Sequence, residues 1–407
     1  MSPLNRKLFR DLWRIRGQAI SIGVVIAVGV GMLVMMTGLV TSLNETRSAY
    51  YERYRLAEVF AHLGRAPDRL SNQLAAIDGV RAVETRVIGA ALIDLPTLDL
   101  PVQAQAVSLP ELRSPALNDI FLTDGRMLDG TRAEEILLLE SFAKAHDLHP
   151  GEMIQATMNG ARRDFRVVGL AQAPEFLYTT APGEMIPDDA RFGVIWMSRS
   201  ALAAAYDMDG AFNQVLLSLS RGANSAAVED AVDRLLEPYG GSGAYPIAEQ
   251  ASNRFISEEI SGLEAAARAV PPIFLAVAAF LLYIVINRMV QIEREEIGLL
   301  KAFGYTNTEV GLHYFKLIMV IAISGALAGC VLGISGGRAL VQVYTLYFKF
   351  PFLVFQLNAA SFSVGVIASV SAASVGGLMV LRSVFALMPA AAMRPPSPPD
   401  YSRAGSW

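Results

Sequence analysis

The residues able to do chemistry are few and scattered. There are four histidines, His62, His146, His149 and His313. His146 and His149 flank Asp147 in an H-x-x-H spacing that offers two metal ligands, but no Glu or Cys cluster stands beside them to complete a site, so they read as histidines at an exposed helix end. The carboxylate pairs Glu134-Glu135 and Asp188-Asp189 are of the right type for acid–base work, yet their strand-edge and loop settings make them solvated charges. No G-x-S-x-G elbow is present, and the dipeptide Gly-Lys never occurs, so there is no P-loop. The single Cys330 excludes a disulfide framework and a zinc pattern. The chain therefore reads as a non-enzyme with no catalytic residue, metal or cofactor of its own.

What stands out instead is a charged segment in an apolar place. Glu293, Arg294, Glu295, Glu296, Ile297, Gly298, Leu299, Leu300, Lys301, Ala302, Phe303 and Gly304 lie between two apolar runs, each long enough to cross a bilayer. Charge in that position must lie in water at a membrane face. Leu299, Leu300 and Phe303 recur at helical spacing, and a helix carrying both charge and an apolar side suits docking to a soluble partner. The plainer alternative is a solvated connection. Gly304 fits a helix C-cap, and Thr306-Asn307-Thr308-Glu309 is a capping box for the next helix. The spacing thus predicts a helix, a tight turn and a new helix, an element rigid enough to transmit force.

The elements that must hold this segment are membrane spans. The chain has 407 residues, 53% of them hydrophobic and 18% charged, against about 25% charged in soluble domains. Its net charge of −4 leaves no nucleic-acid footprint. Charge-free runs predict four spans at 18–43, 269–288, 312–340 and 359–382. The fold class is therefore integral membrane α-helical, four transmembrane helices in a 1 + 3 order, with a large extracytoplasmic α+β domain at 44–268 between the first and second. Residues 1–17 hold five Lys/Arg against one acid, Asp11, with Leu4, Leu8, Leu12 and Ile15 at helical spacing and Trp13 as an interfacial anchor, the pattern of an amphipathic helix on a membrane face. The bias of Lys and Arg towards 1–17 and the 289–311 loop places these segments and the 383–407 tail in the cytoplasm, and the 341–358 loop outside.

Small residues recur every fourth position in the spans: Gly325, Gly329, Gly333 and Gly337 in the third, and Gly365, Ser369, Ala373 and Gly377 in the fourth, with Gly23, Ala27 and Gly31 in the first. Such stripes let helix backbones approach closely, in a bundle or between copies. None of the spans carries a charge near its centre, which argues against a proton relay or ion path. In the domain, strands are predicted at 82–92, 101–107, 134–139, 152–158, 163–169, 192–197 and 213–219, and helices at 67–77, 141–147, 198–206 and 224–236, with Asn159-Gly160 as a hairpin turn. At its ends, 44–56 continues the first span as a helix. Residues 254–268 carry a heptad seam of Ile256, Ile260, Leu263 and Ala267, and Pro271-Pro272 marks a bend. Together these two segments read as a stalk.

The loop and this layout resemble the FtsX-like permeases, the MacB, LolC/LolE and FtsX group of mechanotransmitting ABC transporters. Residues 295–304 match the family's R-E-I-G-hydrophobic-hydrophobic-[RK]-A-hydrophobic-G, with Glu295 in place of the usual Arg. Pro389-Ala-Ala-Ala-Met393-Arg394-Pro395 is similar to the family's P-A-E-A-[LM]-R-P ending, with Ala391 in place of Glu. Gly125-Arg126, Leu148 to Gly151 and Val167-Val168-Gly169 resemble the outer core of MacB-like domains. The resemblance implies that Glu293, Glu295, Glu296 and the residues through Gly304 form a coupling helix that docks on a separate ABC ATPase subunit, which would bind ATP and magnesium. It implies a bacterial inner-membrane protein with both termini cytoplasmic, working with a second permease copy or paralogue and a periplasmic adaptor. Such a permease would export or extract a lipid, lipoprotein, peptide or drug-like molecule. An alternative role in the same family is a signalling scaffold that regulates an external cell-wall hydrolase. The Pro-rich 395–407 run fits either a natural end or the first half of a twice-length permease.

Overall fold

The computed structural model describes residues 3–95, 100–180, 184, 186–356 and 359–386. The similar ending at 389–395 and the 395–407 run lie outside them. In chain order the elements are α1 (Pro3–Arg14), α2 (Arg16–Arg53), β1 (Val59–Pro67), α3 (Leu70–Ala75), β2 (Val80–Arg86), β3 (Ile88–Asp94), β4 (Val102–Leu109), β5 (Phe121–Gly125), β6 (Glu135–Leu139), α4 (Glu140–Ala145), β7 (Met153–Met158), β8 (Ala161–Gln172), β9 (Phe192–Ser198), α5 (Arg199–Tyr206), β10 (Ala211–Leu219), α6 (Ser225–Leu236), β11 (Ala244–Pro246), α7 (Ala251–Ile292), α8 (Arg294–Ala302), α9 (Asn307–Tyr347) and α10 (Ala359–Ala386). Four of these, α2, α7, α9 and α10, are long and apolar enough to cross a membrane. The protein is an integral membrane protein with a large domain of strands and helices between its first and second spans.

The chain divides into two compact units. One holds residues 1–42, 262–341 and 354–407, and the other 43–261 and 342–353. In the first unit, the stripes of small residues pack helix on helix within this single chain. A Cβ on Gly325 would sit 2.9 Å from the Gly23 carbonyl, one on Gly329 2.7 Å from that of Ala27, and one on Gly333 2.7 Å from that of Gly31. α2 and α9 therefore run parallel with backbones in contact, and only glycine at these α9 positions permits it. The α10 stripe is buried too: Gly365 faces Val30 of α2, Gly377 faces Ile318 of α9, and Ser369 Oγ lies 3.4 Å from the Ala322 carbonyl.

The second unit is built on two sheets. A four-stranded sheet runs β11-β1-β10-β2, with α3 and α6 covering one face through Leu70, Leu74, Val228 and Val232. A seven-stranded sheet runs β5-β8-β6-β9-β4-β3-β7, and pairing of β7 with β8 closes six of its strands into a ring. The ring's core includes Trp196 and Phe142. Asn159 and Gly160, both at positive φ, turn the β7–β8 hairpin as their types predict. The long strand expected at 82–92 is two strands, because Val87 donates to Ser108 Oγ and the chain passes from one sheet to the other there. β1, β5 and β11 were not expected from the sequence.

Two boundaries differ from expectation. α2 ends at Arg53, short of residue 56, because Arg55 adopts positive φ. α9 runs on to Tyr347, so the connection from α9 to α10 is shorter than 341–358. α7 passes through Pro271-Pro272 as one helix of 42 residues.

The glycine contact yields a direct test. Gly333→Val places branched carbons against the Gly31 carbonyl, and overpacking of this kind costs about 1–3 kcal/mol. Thermal unfolding of the purified chain in detergent should show a lower Tm; an unchanged Tm would contradict the close α2–α9 contact.

Candidate functional site

The 293–304 segment folds as a capped elbow. Helical hydrogen bonds run from Glu293 N to the Met289 carbonyl and from Ile297 N to the Glu293 carbonyl, so α8 follows α7 after a single non-helical residue. At the other end Gly304, at φ +98°, donates to the Lys301 carbonyl, and Tyr305 N donates to that of Leu300. This is the two-bond Schellman pattern that Gly304 foretold. Thr306 then caps α9 reciprocally: its amide donates to Glu309 Oε2 at 2.8 Å, and the Glu309 amide donates to Thr306 Oγ1 at 3.2 Å. The turn between the two helices is thereby fixed by backbone and side-chain bonds.

The residues singled out by sequence do not share one surface. Glu293 is only 2% exposed, and Ile297 and Gly298 are buried, so these three belong to the interior of the unit and offer no side chain for docking. Leu300 is half-buried against the bundle core. The outward face is Glu295, Glu296, Leu299, Ala302, Phe303 and Gly304, with Leu299 49% and Phe303 76% exposed. The exposed face is thus narrower than the motif, and its apolar centre is Leu299 with Phe303, one turn apart.

Glu293 has a different task. Its Oε2 accepts from Lys7 Nζ at 2.9 Å and from the Tyr314 hydroxyl at 2.9 Å, and its Oε1 accepts from Arg14 Nη2 at 2.7 Å. Lys7 also bonds Asp11 Oδ2 at 2.9 Å, and that same oxygen lies 3.0 Å from His313 Nε2. Five groups, from α1, the elbow and the start of α9, thus form one buried polar cluster, with Arg14 at its edge. Burial alone would raise the Asp11 carboxyl, but hydrogen bonds from His313 and Lys7 hold it below the usual range. Burial would likewise lower the Lys7 ammonium, and its bonds to Asp11 and Glu293 carry it above its usual value. Asp11 is the one acid of the basic N-terminal segment, and Lys7, Asp11 and Arg14 fall on one helical face; that spacing was the available signal. Its partners lie some 280 to 300 residues away and were not legible.

The same contacts correct the reading of α1. Its stripe of Leu8, Leu12 and Ile15 packs into the bundle core, because the adjacent Lys7/Asp11/Arg14 face must reach Glu293. The outward face carries Arg6, Phe9, Arg10 and Trp13 instead.

In the second unit the stalk residues are anchored by polar bonds. Arg47 of α2 donates to Ser257 of α7 at 2.9 Å. Of the seam, Ile256 and Ile260 lie in this unit and are buried; Leu263 and Ala267 fall in the first unit, the former half-buried and the latter buried. Beyond α2, Ala57 N donates to Asn118 Oδ1 at 2.7 Å, and Asn118 donates to the buried Glu175, which is forked by Arg86. At the start of α7, Gln250 donates to the Glu175 carbonyl at 2.9 Å. The end of α9 is fastened as well: Tyr344 bonds Glu259, and Lys349 pairs with Asp189 at 2.6 Å. Three helices, one more than the sequence showed, thus reach this domain. His146 Nε2 lies 2.9 Å from the Ala190 carbonyl and His149 Nδ1 3.1 Å from that of Asp147. No group of three or more His, Cys, Asp or Glu able to hold a metal occurs among the described residues.

Two family models match the chain. The FtsX-like permease C-terminal model covers residues 269–389, and the MacB-like periplasmic core domain model covers 24–235, half of the chain. The chain belongs to the FtsX-like permease family. It is a membrane subunit of the ABC-transporter permease type, a kind that is generally non-catalytic. Among solved structures it is similar to the periplasmic region of MacB from Actinobacillus actinomycetemcomitans, at 13% identity over 52% of this chain and 95% of that one, with a TM-score of 0.32. It is also similar to the extracellular domain of the ABC-type transporter YknZ from Gram-positive bacteria, at 12% identity over 46% and 98%, again with a TM-score of 0.32. No curated protein matches. In this permease the segments read as MacB-like meet in space: Gly125 pairs with Gly169 across β5 and β8, and Gly151 N donates to the Val167 carbonyl.

The cluster's energetics can be measured. Glu293→Ala leaves Tyr314 without its buried acceptor and Lys7 with Asp11 alone, and breaking such a buried pair costs roughly 3–5 kcal/mol. The variant should show a clearly lowered Tm in detergent, with Lys7→Met/Glu293→Met recovering part of the loss; a wild-type Tm for Glu293→Ala would show the cluster to be energetically idle.

Proposed function

We propose that this chain is the permease subunit of an ABC transporter in a bacterial inner membrane, and that α8 is its coupling helix. The observation that carries the reading is the exposure of Leu299 and Phe303, beside Glu295 and Glu296, on a helix capped at its far end and pinned by buried charge at its near end. An apolar pair with an acidic rim on a rigid helix fits a hot spot in a protein groove. A separate ATPase subunit, holding ATP and magnesium, would take this face, since the sequence has no P-loop to hydrolyse ATP itself.

In this reading α8 cannot tilt without carrying α1 and the start of α9, because Glu293, Asp11 and His313 share one set of bonds. α2, α7 and α9 continue as helices into the interposed domain, which we assign to the periplasm, with both termini cytoplasmic. Motion would leave through Asn118, Glu175 and Asp189, where these helices or their extensions are fastened. The bilayer-crossing segments carry no charge near their centres, which suits a machine that works on its substrate outside the bundle. We assign as substrate a lipid, lipoprotein, peptide or drug-like molecule, exported or extracted by a pair of such permeases with a periplasmic adaptor.

Co-expression with a candidate ABC ATPase partner tests the docking face. Phe303→Glu or Leu299→Glu should weaken ATPase binding by about 30-fold or more, as loss of a hot spot of 2 kcal/mol does, and abolish stimulated hydrolysis. Because both side chains are exposed, the permease should keep its wild-type Tm. Full co-purification with undiminished hydrolysis would contradict the assignment.

A further inference from the structure

Between α1, α2 and α9 the first unit carries a slot of about 530 Å³. Phe9 and Trp13 of α1 overhang one end, and Gly23 of α2 with Ser324 and Ala328 of α9 help form its length. Its lining holds one charged residue, Arg16, and no acid. The Arg16 guanidinium lies 4.8 Å from the centre of the exposed Trp13 ring, which orients it by a cation–π contact. Arg6 and Arg10 of α1 are exposed as well, and no ion pair ties up either of them or Arg16 among the described residues.

Depth and length point to one occupant. Arg16 opens α2 three residues before the charge-free run at Ala19, so it sits where a span meets the headgroups. On α9 the lining runs from Val320 to Leu332, about 18 Å at 1.5 Å per residue. One leaflet of the hydrocarbon core is about 15 Å deep, half of roughly 30 Å. An apolar slot one leaflet deep, with an unanswered guanidinium at its interfacial end, matches a lipid with an anionic head. We propose that this slot binds an anionic phospholipid, one acyl chain lying along α9 and the phosphate on Arg16. The slot exists because the stripe glycines bring α2 and α9 together while α1, held down by the Glu293 cluster, roofs the groove they leave.

The test uses the full chain with Trp407→Phe, so that Trp13 is the responsive tryptophan while Trp196 stays fully buried in the domain core. The chain is placed in phosphatidylcholine vesicles containing a small fraction of lipid brominated on its acyl chains, and quenching of tryptophan fluorescence is recorded. Brominated phosphatidylglycerol should quench with an apparent affinity about fivefold above that of brominated phosphatidylcholine, the preference of one arginine for an anionic lipid. Arg16→Gln should remove that preference, and Ala328→Phe, which fills the slot from an exposed position, should reduce quenching by both lipids. Inorganic phosphate should not compete. Equal quenching by the two lipids, or a preference that survives Arg16→Gln, would overturn the proposal. Competition by inorganic phosphate would make the site a simple anion site, and quenching that falls as the protein-to-lipid ratio rises would give the slot to a second copy of the chain; either result also overturns it.

Discussion

A carboxylate buried at the break between two helices must be answered by donors, and the donors to Glu293 come from two helices far apart in the chain. Lys7 and Arg14 reach it from α1 and Tyr314 from α9, while Asp11 and His313 complete the set. Burying such charges is costly, and removing one partner costs more than the pair gives back. The cluster is therefore a device for fixing geometry. It sets where α8 leaves α7, and hence which side of α8 faces outward. The exposed Leu299 and Phe303 follow from the inward turn of Glu293 and Ile297.

The rest of the first unit obeys the same requirement for close fit. Glycines at four-residue spacing let α2 and α9 touch at backbone level, so relative sliding of these helices would drive a Gly333 or Gly329 methylene into a carbonyl. In the second unit, buried Glu175 accepts from Arg86 and Asn118 and offers its carbonyl to Gln250. That network joins the chain beyond α2, the start of α7 and both sheets. Each unit thus fastens its helix ends with a buried polar network of its own.

The sequence showed well what local rules govern. The small-residue stripes, the Asn159-Gly160 hairpin, the Gly304 cap and the Thr306/Glu309 box are each written within a few residues, and each formed as read. The strands were legible where they are apolar and regular. β1 was missed because Gly64-Arg65 interrupts it at an irregular register, and β11 because it has three residues. What escaped entirely was pairing over distance. Nothing near Glu293 reveals Lys7, so a residue read as part of a docking surface is a buried anchor. For the same reason the stripe of α1 was assigned to the membrane and packs instead on the bundle.

A coupling role for α8 requires that motion entering there leave through the stalk. Spin labels at exposed Glu52 and Glu258, in a chain with Cys330→Ala assembled with the proposed ATPase partner, report the separation of α2 and α7 directly. Electron–electron resonance should show this separation change when a non-hydrolysable ATP analogue is added, and the change should vanish with Phe303→Glu. Identical distances with and without nucleotide, or a change that persists in Phe303→Glu, would contradict it.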